Sequence, residues 1–176
     1  RIGNKVWTRI HEFFQTMEIN IAMMKLHDEY KKGDPRLGCV DRAHILYHIM
    51  KKKDLNPERK LFSFQNDQGK KIILSHCVIV ESGMIYDANL EGWQNPIEFS
   101  KYDEMKRGLH PNLNLVWVDW EESQSSKNYF VDWLWDYLAS VDEELMNEVK
   151  PLIEAEYNAY LDRFPYLKRI KAQQHG

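Results

Sequence analysis

Cys39, His76 and Asp87 are the residues of this chain whose types and order could carry covalent chemistry. A cysteine attacks as its thiolate, and an imidazole beside it both lowers the thiol pKa and accepts its proton. A carboxylate on the far ring nitrogen fixes the tautomer and stabilises the imidazolium. Cys39 follows Gly38 and opens the series Cys39, Ala43, Leu46, Ile49/Met50, whose spacing predicts a helix. At a helix start the dipole favours the thiolate, and free backbone N–H groups suit an oxyanion. The plainer alternative is that Cys39 is a small buried hydrophobe, the common fate of a free cysteine.

His76 and Asp87 depend on a hairpin. The segment KIILSHCVIVE, 71–81, is rich in Ile and Val and reads as a strand, followed by a Ser82-Gly83 turn and a partner strand from Met84 to Ala88. Side chains alternate along a strand, so His76, Val78 and Val80 share one face and Cys77 and Ile79 the other. A Ser82-Gly83 loop pairs Val80 with Ile85 and sets Asp87 diagonally beside His76. A Glu81-Ser82 loop sets the two directly opposite. Both loops put them on one face, whereas a three-residue loop would part them. Asn89 shares that face, and its amide is a second candidate to orient the ring. Cys77 points away from His76 and takes a structural reading.

Other elements frame this pair. Val6, Ile10, Phe13, Phe14, Met17, Ile21, Met24 and Leu26 recur mostly every three or four residues, predicting an amphipathic helix that Gly33 and Pro35 stop. The helix opened by Cys39 should run to about Lys53, before Asp54-Leu55-Asn56-Pro57. Phe62 to Phe64 reads as a short strand, Pro96 to Met105 as a short helix and Leu113 to Trp120 as a further strand. Tyr129 to Ala139 reads as an apolar helix, and Glu143 to Arg163 as a long polar one with a bend at Pro151. Helices first, an antiparallel sheet in the middle and helices last predict an α+β fold in one domain spanning 1–176.

The strings GCVDRAHILYHIM and SHCVIVESGMIYDAN resemble the core of the transglutaminase-like superfamily, related in architecture to papain-like proteases. That pattern places a Cys at a helix start, a His on a later strand and an Asp on the next strand. The outline is most similar to bacterial transglutaminase-like cysteine peptidases, through Cys39-Val40-Asp41 and Tyr86-Asp87-Ala88-Asn89. Arylamine acetyltransferases and peptide N-glycanases share the same order. The resemblance spans roughly Gly33 to Asn89 and implies a Cys39-His76-Asp87 triad. It also implies a Cys-bearing helix packed on a small antiparallel sheet, with extra helices at both ends. The sequence departs from papain-like enzymes in one respect. Those carry a Gln shortly before the Cys as an oxyanion donor, but residues 21–38 contain neither Gln nor Asn. An upstream aromatic side chain, Trp7 or Tyr30, is the substitute the resemblance suggests.

Composition narrows the alternatives. A net charge of -3 and a pI near 6.2 argue against a nucleic-acid partner, whose binding domain would be strongly basic. Lys51-Lys52-Lys53 fits a helix C-terminus, where cations complement the dipole. Two cysteines cannot build a disulfide scaffold, nothing resembles a signal peptide, and no apolar run approaches the length of a membrane span. The expected location is cytoplasmic.

Asp41, His44 and His48 share a helical face, but His44 to His48 lacks the Glu of a zinc-protease motif, so surface or capping histidines are expected and no metal or cofactor. The Trp-rich segment 129–137 reads as core, or as a partner surface if the chain is a non-catalytic binding module on the same fold. The expected function is a thiol-dependent hydrolase of the cysteine peptidase or amidase type, acting on a protein or peptide through a thioacyl intermediate. An acyltransferase on the same triad is the enzymatic alternative.

Overall fold

Strand alternation divides the hydrophobic residues of one sheet between two helical layers, and Cys39, His76 and Asp87 meet where two neighbouring strands part. The computed structural model describes residues 39–89, 95–122 and 149–165, with single positions at 19 and 147. The helices expected over 1–30 and 129–139 lie outside the described residues, Ile19 excepted. In chain order the elements are helix α1 (Cys39–Lys52), strands β1 (Glu58–Gln65), β2 (Lys71–Glu81), β3 (Met84–Tyr86) and β4 (Ile97–Glu98), helix α2 (Phe99–Leu109), strand β5 (Asn114–Asp119), a 3-10 turn (Trp120–Glu122) and helix α3 (Lys150–Arg163). The strands pair antiparallel in the order β4-β3-β2-β1-β5. The architecture is α+β.

One sheet face carries Leu61, Cys77, Ile79 and Tyr86, packed with Ile45, Leu46 and Met50 of α1 and Ile153, Tyr157 and Leu161 of α3. The other face carries Phe62, Phe64, Val78, Ile85 and Leu115 around the fully buried Tyr102 of α2. The α1 helix is therefore buried over most of its circumference, polar Arg42, His44 and His48 included, because it is covered from several sides. It ends where Asp54 enters the left-handed region at φ 58°. Leu55 N–H reaches Met50 O at 3.1 Å and Asp54 N–H reaches Lys51 O at 3.1 Å, closing the last turn with an αL cap. Lys51 and Lys52 occupy that last turn, where their charge opposes the dipole.

Three boundaries differ from the sequence reading. The strand expected over Phe62 to Phe64 extends to Glu58–Gln65, because it pairs with β2 on one side and β5 on the other. The helix expected from Pro96 starts instead at Phe99: Ile97 and Glu98 pair with Ile85 and Met84, and Phe99 N–H bonds Gly83 O at 3.0 Å. Pairing with a neighbouring strand overrides local propensity there. Pro151 lies in the first turn of α3 rather than at a bend, in the place where a missing N–H is tolerated.

Under α1 and α3 lies a polar cluster built on Arg59. Its buried guanidinium donates to Glu156 Oε1 at 2.7 Å and Glu121 Oε1 at 2.8 Å, and stands 3.9 Å from the Tyr47 ring centroid. It also lies 2.7 Å from His44 Nδ1. Guanidinium only donates, so Nδ1 accepts and His44 is neutral, with its proton on Nε2. Burial, then the Arg59 charge, pushes the His44 pKa well below its ordinary value. Burial alone would raise Glu156, but the His48 hydrogen bond and Arg59 charge outweigh it and hold the carboxyl at about 2. The cluster ties α3 to α1 and β1.

Replacing Glu156 by Ala should cost about 3 kcal/mol at pH 7, because it removes the less exposed of the two carboxylates that hold the buried Arg59 charge. Glu156 titrates lower in the folded chain than unfolded, at about 2 against 4.5. Its contribution is thus present above pH 4.5 and fades as pH falls toward 2. Urea unfolding of the wild type and Glu156→Ala should show the gap at pH 7 and a narrower one at pH 3.

Candidate active site

The β2–β3 ladder stops early, and that opening is where the site forms. The register runs Glu81↔Met84, Val80↔Ile85 and Ile79↔Tyr86. The loop is therefore Ser82-Gly83, both residues at positive φ (50° and 76°), as a two-residue type I′ hairpin requires. Beyond Tyr86 the chain leaves the ladder, although the sequence predicts strand to Ala88. Backbone N–H and C=O groups point to the same edge at every second residue, so Cys77 faces the edge that Ile79 and Glu81 share with β3.

The first turn of α1 occupies that gap. The Cys39 sulfur accepts a hydrogen bond from Cys77 N–H, and Arg42, one turn later, donates to Ala88 O at 3.0 Å. Helix α1 completes hydrogen bonding that a longer β3 would otherwise supply.

His76 lies on β2 where the β1–β2 register slips between Phe62 and Phe64, an irregularity of the kind that re-aims a side chain. Its Nε2 lies 2.8 Å from Asp87 Oδ1, and the ring also hydrogen-bonds Cys39. The Asp87 carboxylate accepts a hydrogen bond from Nε2–H, which leaves Nδ1 as the nitrogen available to the thiol. The structure thus brings together all three residues singled out in the sequence. Asn89 Nδ2 is 3.4 Å from His76 Nδ1, so the amide faces the other side of the ring from the one Asp87 holds.

Asp87 is almost completely buried, and each of its polar atoms is matched. Oδ1 also accepts Asn89 N–H at 2.9 Å, and Oδ2 accepts the Tyr102 hydroxyl at 2.6 Å. Asn95 clamps its backbone, accepting Asp87 N–H at 2.8 Å and donating to Asp87 O at 3.1 Å. A carboxylate out of water stays charged only with such support.

Three pKa shifts follow. Burial raises Asp87, but the His76 hydrogen bond and charge, then Tyr102 and Asn89 N–H, outweigh it and hold the acid at about 2. Burial would lower His76, yet the hydrogen bonds it donates to Asp87 and Cys39 and their charges carry it to about 9. For Cys39, burial raises the thiol, while His76, Cys77 N–H and the Arg42 charge bring it below its ordinary value. Opposite displacements of neighbouring groups characterise a thiolate–imidazolium pair.

No family model, curated protein or solved structure matches this chain.

The other sequence candidates resolve differently. Cys77 is buried in the α1-facing core, as strand alternation implies, although its backbone N–H serves the site. His44 and His48 are buried, not surface groups. Arg59 engages His44, and His48 Nε2 stands 3.1 Å from Glu156 Oε2. Among the described residues, no group of three or more His, Cys, Asp or Glu is placed to hold a metal ion, and no helix is long and apolar enough to cross a membrane. Trp7 and Tyr30 lie outside the described residues.

Sequence reasoning missed Tyr102, Asn95 and Arg42. Arg42 left a signal, since a cation one turn after Cys39 interrupts an otherwise apolar helix face. Tyr102 and Asn95 left none, because only tertiary packing brings α2 and its leading segment to Asp87.

Replacing Tyr102 by Phe removes one donor from a buried carboxylate oxygen, which should cost about 1 to 3 kcal/mol. It should also raise the Asp87 pKa above about 2. Stability from a depressed acid is lost as pH falls through its folded pKa, so acid unfolding should begin at higher pH. Titration of the Asp87 carboxyl carbon by NMR, alongside acid unfolding, reads both effects.

Proposed function

We propose that this protein is a thiol-dependent hydrolase of peptide or other amide bonds, built on a transglutaminase-like core, with Cys39 as nucleophile, His76 as acid and base, and Asp87 as the group that orients His76. The observation that carries this reading is the His76 ring held at Nε2 by Asp87 while it hydrogen-bonds Cys39. A structural histidine has no need of a buried carboxylate on one side and a depressed thiol on the other.

The chemistry follows from that placement. The Cys39 thiolate adds to the carbonyl carbon, forming an S–C bond and moving the C=O π electrons onto oxygen. His76 gives its Nδ1 proton to the leaving nitrogen as the tetrahedral species collapses to a thioacyl enzyme. Water then adds to the thioester as His76 takes its proton, and the thiolate departs. Asp87 keeps the Nε2 proton in place throughout, so the ring cycles through Nδ1 alone. An amine in place of water would make the same site an acyltransferase. Hydrolysis is favoured because water needs no acceptor subsite.

Alkylation by iodoacetamide across a pH series, with peptide mapping of Cys39 and Cys77, tests the nucleophile. Cys39 should react faster than Cys77 and keep its reactivity well below pH 8. His76→Ala should slow Cys39 at pH 6 by about tenfold or more, since the unassisted thiol is then almost wholly protonated. Slow, equal labelling of both cysteines would overturn the reading in favour of a binding module.

A further inference from the structure

The chain offers no Gln or Asn over 21–38 to donate to an oxyanion, yet it holds a carboxamide beside the reacting pair from the opposite direction in sequence. We propose that Asn89 is a further catalytic residue, its side-chain N–H donating to the oxyanion formed when Cys39 adds to a carbonyl, and that Arg42 is the positioning residue that turns the amide for this task. The inference rests on the thiol chemistry proposed above and names a side-chain donor for it.

The orientation of Asn89 is dictated by what Arg42 can do. Arg42 is fully buried, donates to Ala88 O at 3.0 Å, and also donates to Asn89 Oδ1. A guanidinium has no acceptor, so the amide must present oxygen to it, and the NH2 group is forced to the other side. That side is the active site, where Nδ2 stands 3.4 Å from His76 Nδ1. Its backbone N–H is held by Asp87 Oδ1 at 2.9 Å, which fixes the main chain from which the amide projects, and Arg42 holds the amide oxygen. One helical turn therefore supplies both parts: Cys39 is the nucleophile, and Arg42 aims the donor.

The protonation of the pair determines what the donor is for. With His76 held as imidazolium to about pH 9, Nδ1 carries a hydrogen and cannot accept from Asn89. Two donors then face each other, an arrangement that is unfavourable until an anion stands between or beside them. The anions available at that point are the Cys39 sulfur and, during reaction, the oxygen of a carbonyl that sulfur has attacked. A donor fixed before the reaction, in a half-buried site, stabilises the second without reorganising.

Two reagents separate an oxyanion donor from a group that merely supports the thiolate. Iodoacetamide alkylates sulfur by displacement at a saturated carbon and forms no oxyanion. p-Nitrophenyl acetate acylates the same sulfur through a tetrahedral oxyanion that expels p-nitrophenolate, leaving an acetyl thioester. Full-length wild type, Asn89→Ala and Asn89→Asp are compared, with Cys39→Ala as background for each reagent. Asn89→Ala should alkylate within about twofold of wild type, while its acylation rate falls about 100-fold, the usual loss on removing one oxyanion donor. Asn89→Asp keeps the Arg42 contact but replaces the donor by an acceptor, so its acylation should fall at least as far, each variant being compared at its own alkylation plateau.

Acylation of Asn89→Ala within about threefold of wild type overturns the inference and leaves the thiol reading intact. Equal loss of alkylation and acylation overturns it as well, since Asn89 would then only maintain the ion pair. Wild-type protein in which Cys39 is neither selectively alkylated nor acylated overturns the thiol reading, and this inference with it.

Discussion

Everything in this site depends on where β3 stops pairing with β2. Had the ladder continued past Ile79↔Tyr86, the backbone of Cys77 would have bonded the backbone near Ala88, and the sheet edge would have closed. Instead the two strands part, and the first turn of α1 takes the hydrogen bonds they relinquish: Cys77 N–H to the Cys39 sulfur, and Ala88 O to Arg42. Backbone polar groups inside a protein must be matched, so the gap cannot exist without a helix to fill it. Cys39 is therefore seated by the same bonds that finish the sheet. That couples fold to chemistry more tightly than side-chain packing alone, because shifting α1 along its axis would break main-chain hydrogen bonds as well as displace a thiol.

A second constraint is the buried charge of Asp87. A lone carboxylate in that position would take up a proton rather than stay ionised. It remains charged because contributions from three separate parts of the chain converge on it, His76 from β2, Asn89 from the following turn and Tyr102 from α2, while Asn95 from the segment before β4 clamps its backbone. The α2 helix is itself pinned to the sheet, with Trp117 Nε1 of β5 donating to Asp103 Oδ1 at 2.8 Å beside the aromatic packing of Phe62, Tyr102 and Trp117. The face of the sheet remote from α1 thus serves mainly to hold one acid in place.

What could be read in the sequence was what alternation and turn chemistry control. The bounds of β2, the Ser82-Gly83 loop and the shared face of His76 and Asp87 all follow from a period of two and a pair of turn residues. The helical state of the segment carrying Cys39 and its end near Lys52 follow from helical spacing and a stop. The end of β3 was not legible, because it is decided by α1 competing for the same hydrogen bonds, a contact between segments far apart in sequence. Tyr102 and Asn95 were invisible for the same reason. The exposure of His44 and His48 was misjudged: polar spacing on a helix suggests a solvated face, but Arg59, arriving from β1, turns that face into an interior one.

The three described α1 and β2 histidines show how neighbours, rather than residue type, assign chemistry. His44 meets a group that can only donate, so it must accept, and it stays neutral in the core. His48 stands against Glu156, the carboxylate that Arg59 already holds. His76 alone has a carboxylate on one nitrogen and a thiol for the other, so its proton has both a reason to be present and somewhere to go. The polar cluster around Arg59 and the site around His76 both draw on α1 and use the same residue types. They differ in that the first has an arginine to occupy its imidazole, whereas the second directs its arginine to the backbone and to Asn89, leaving the imidazole to the sulfur. Where each guanidinium points thus decides whether the imidazole beside it is occupied by an arginine or left facing a thiol.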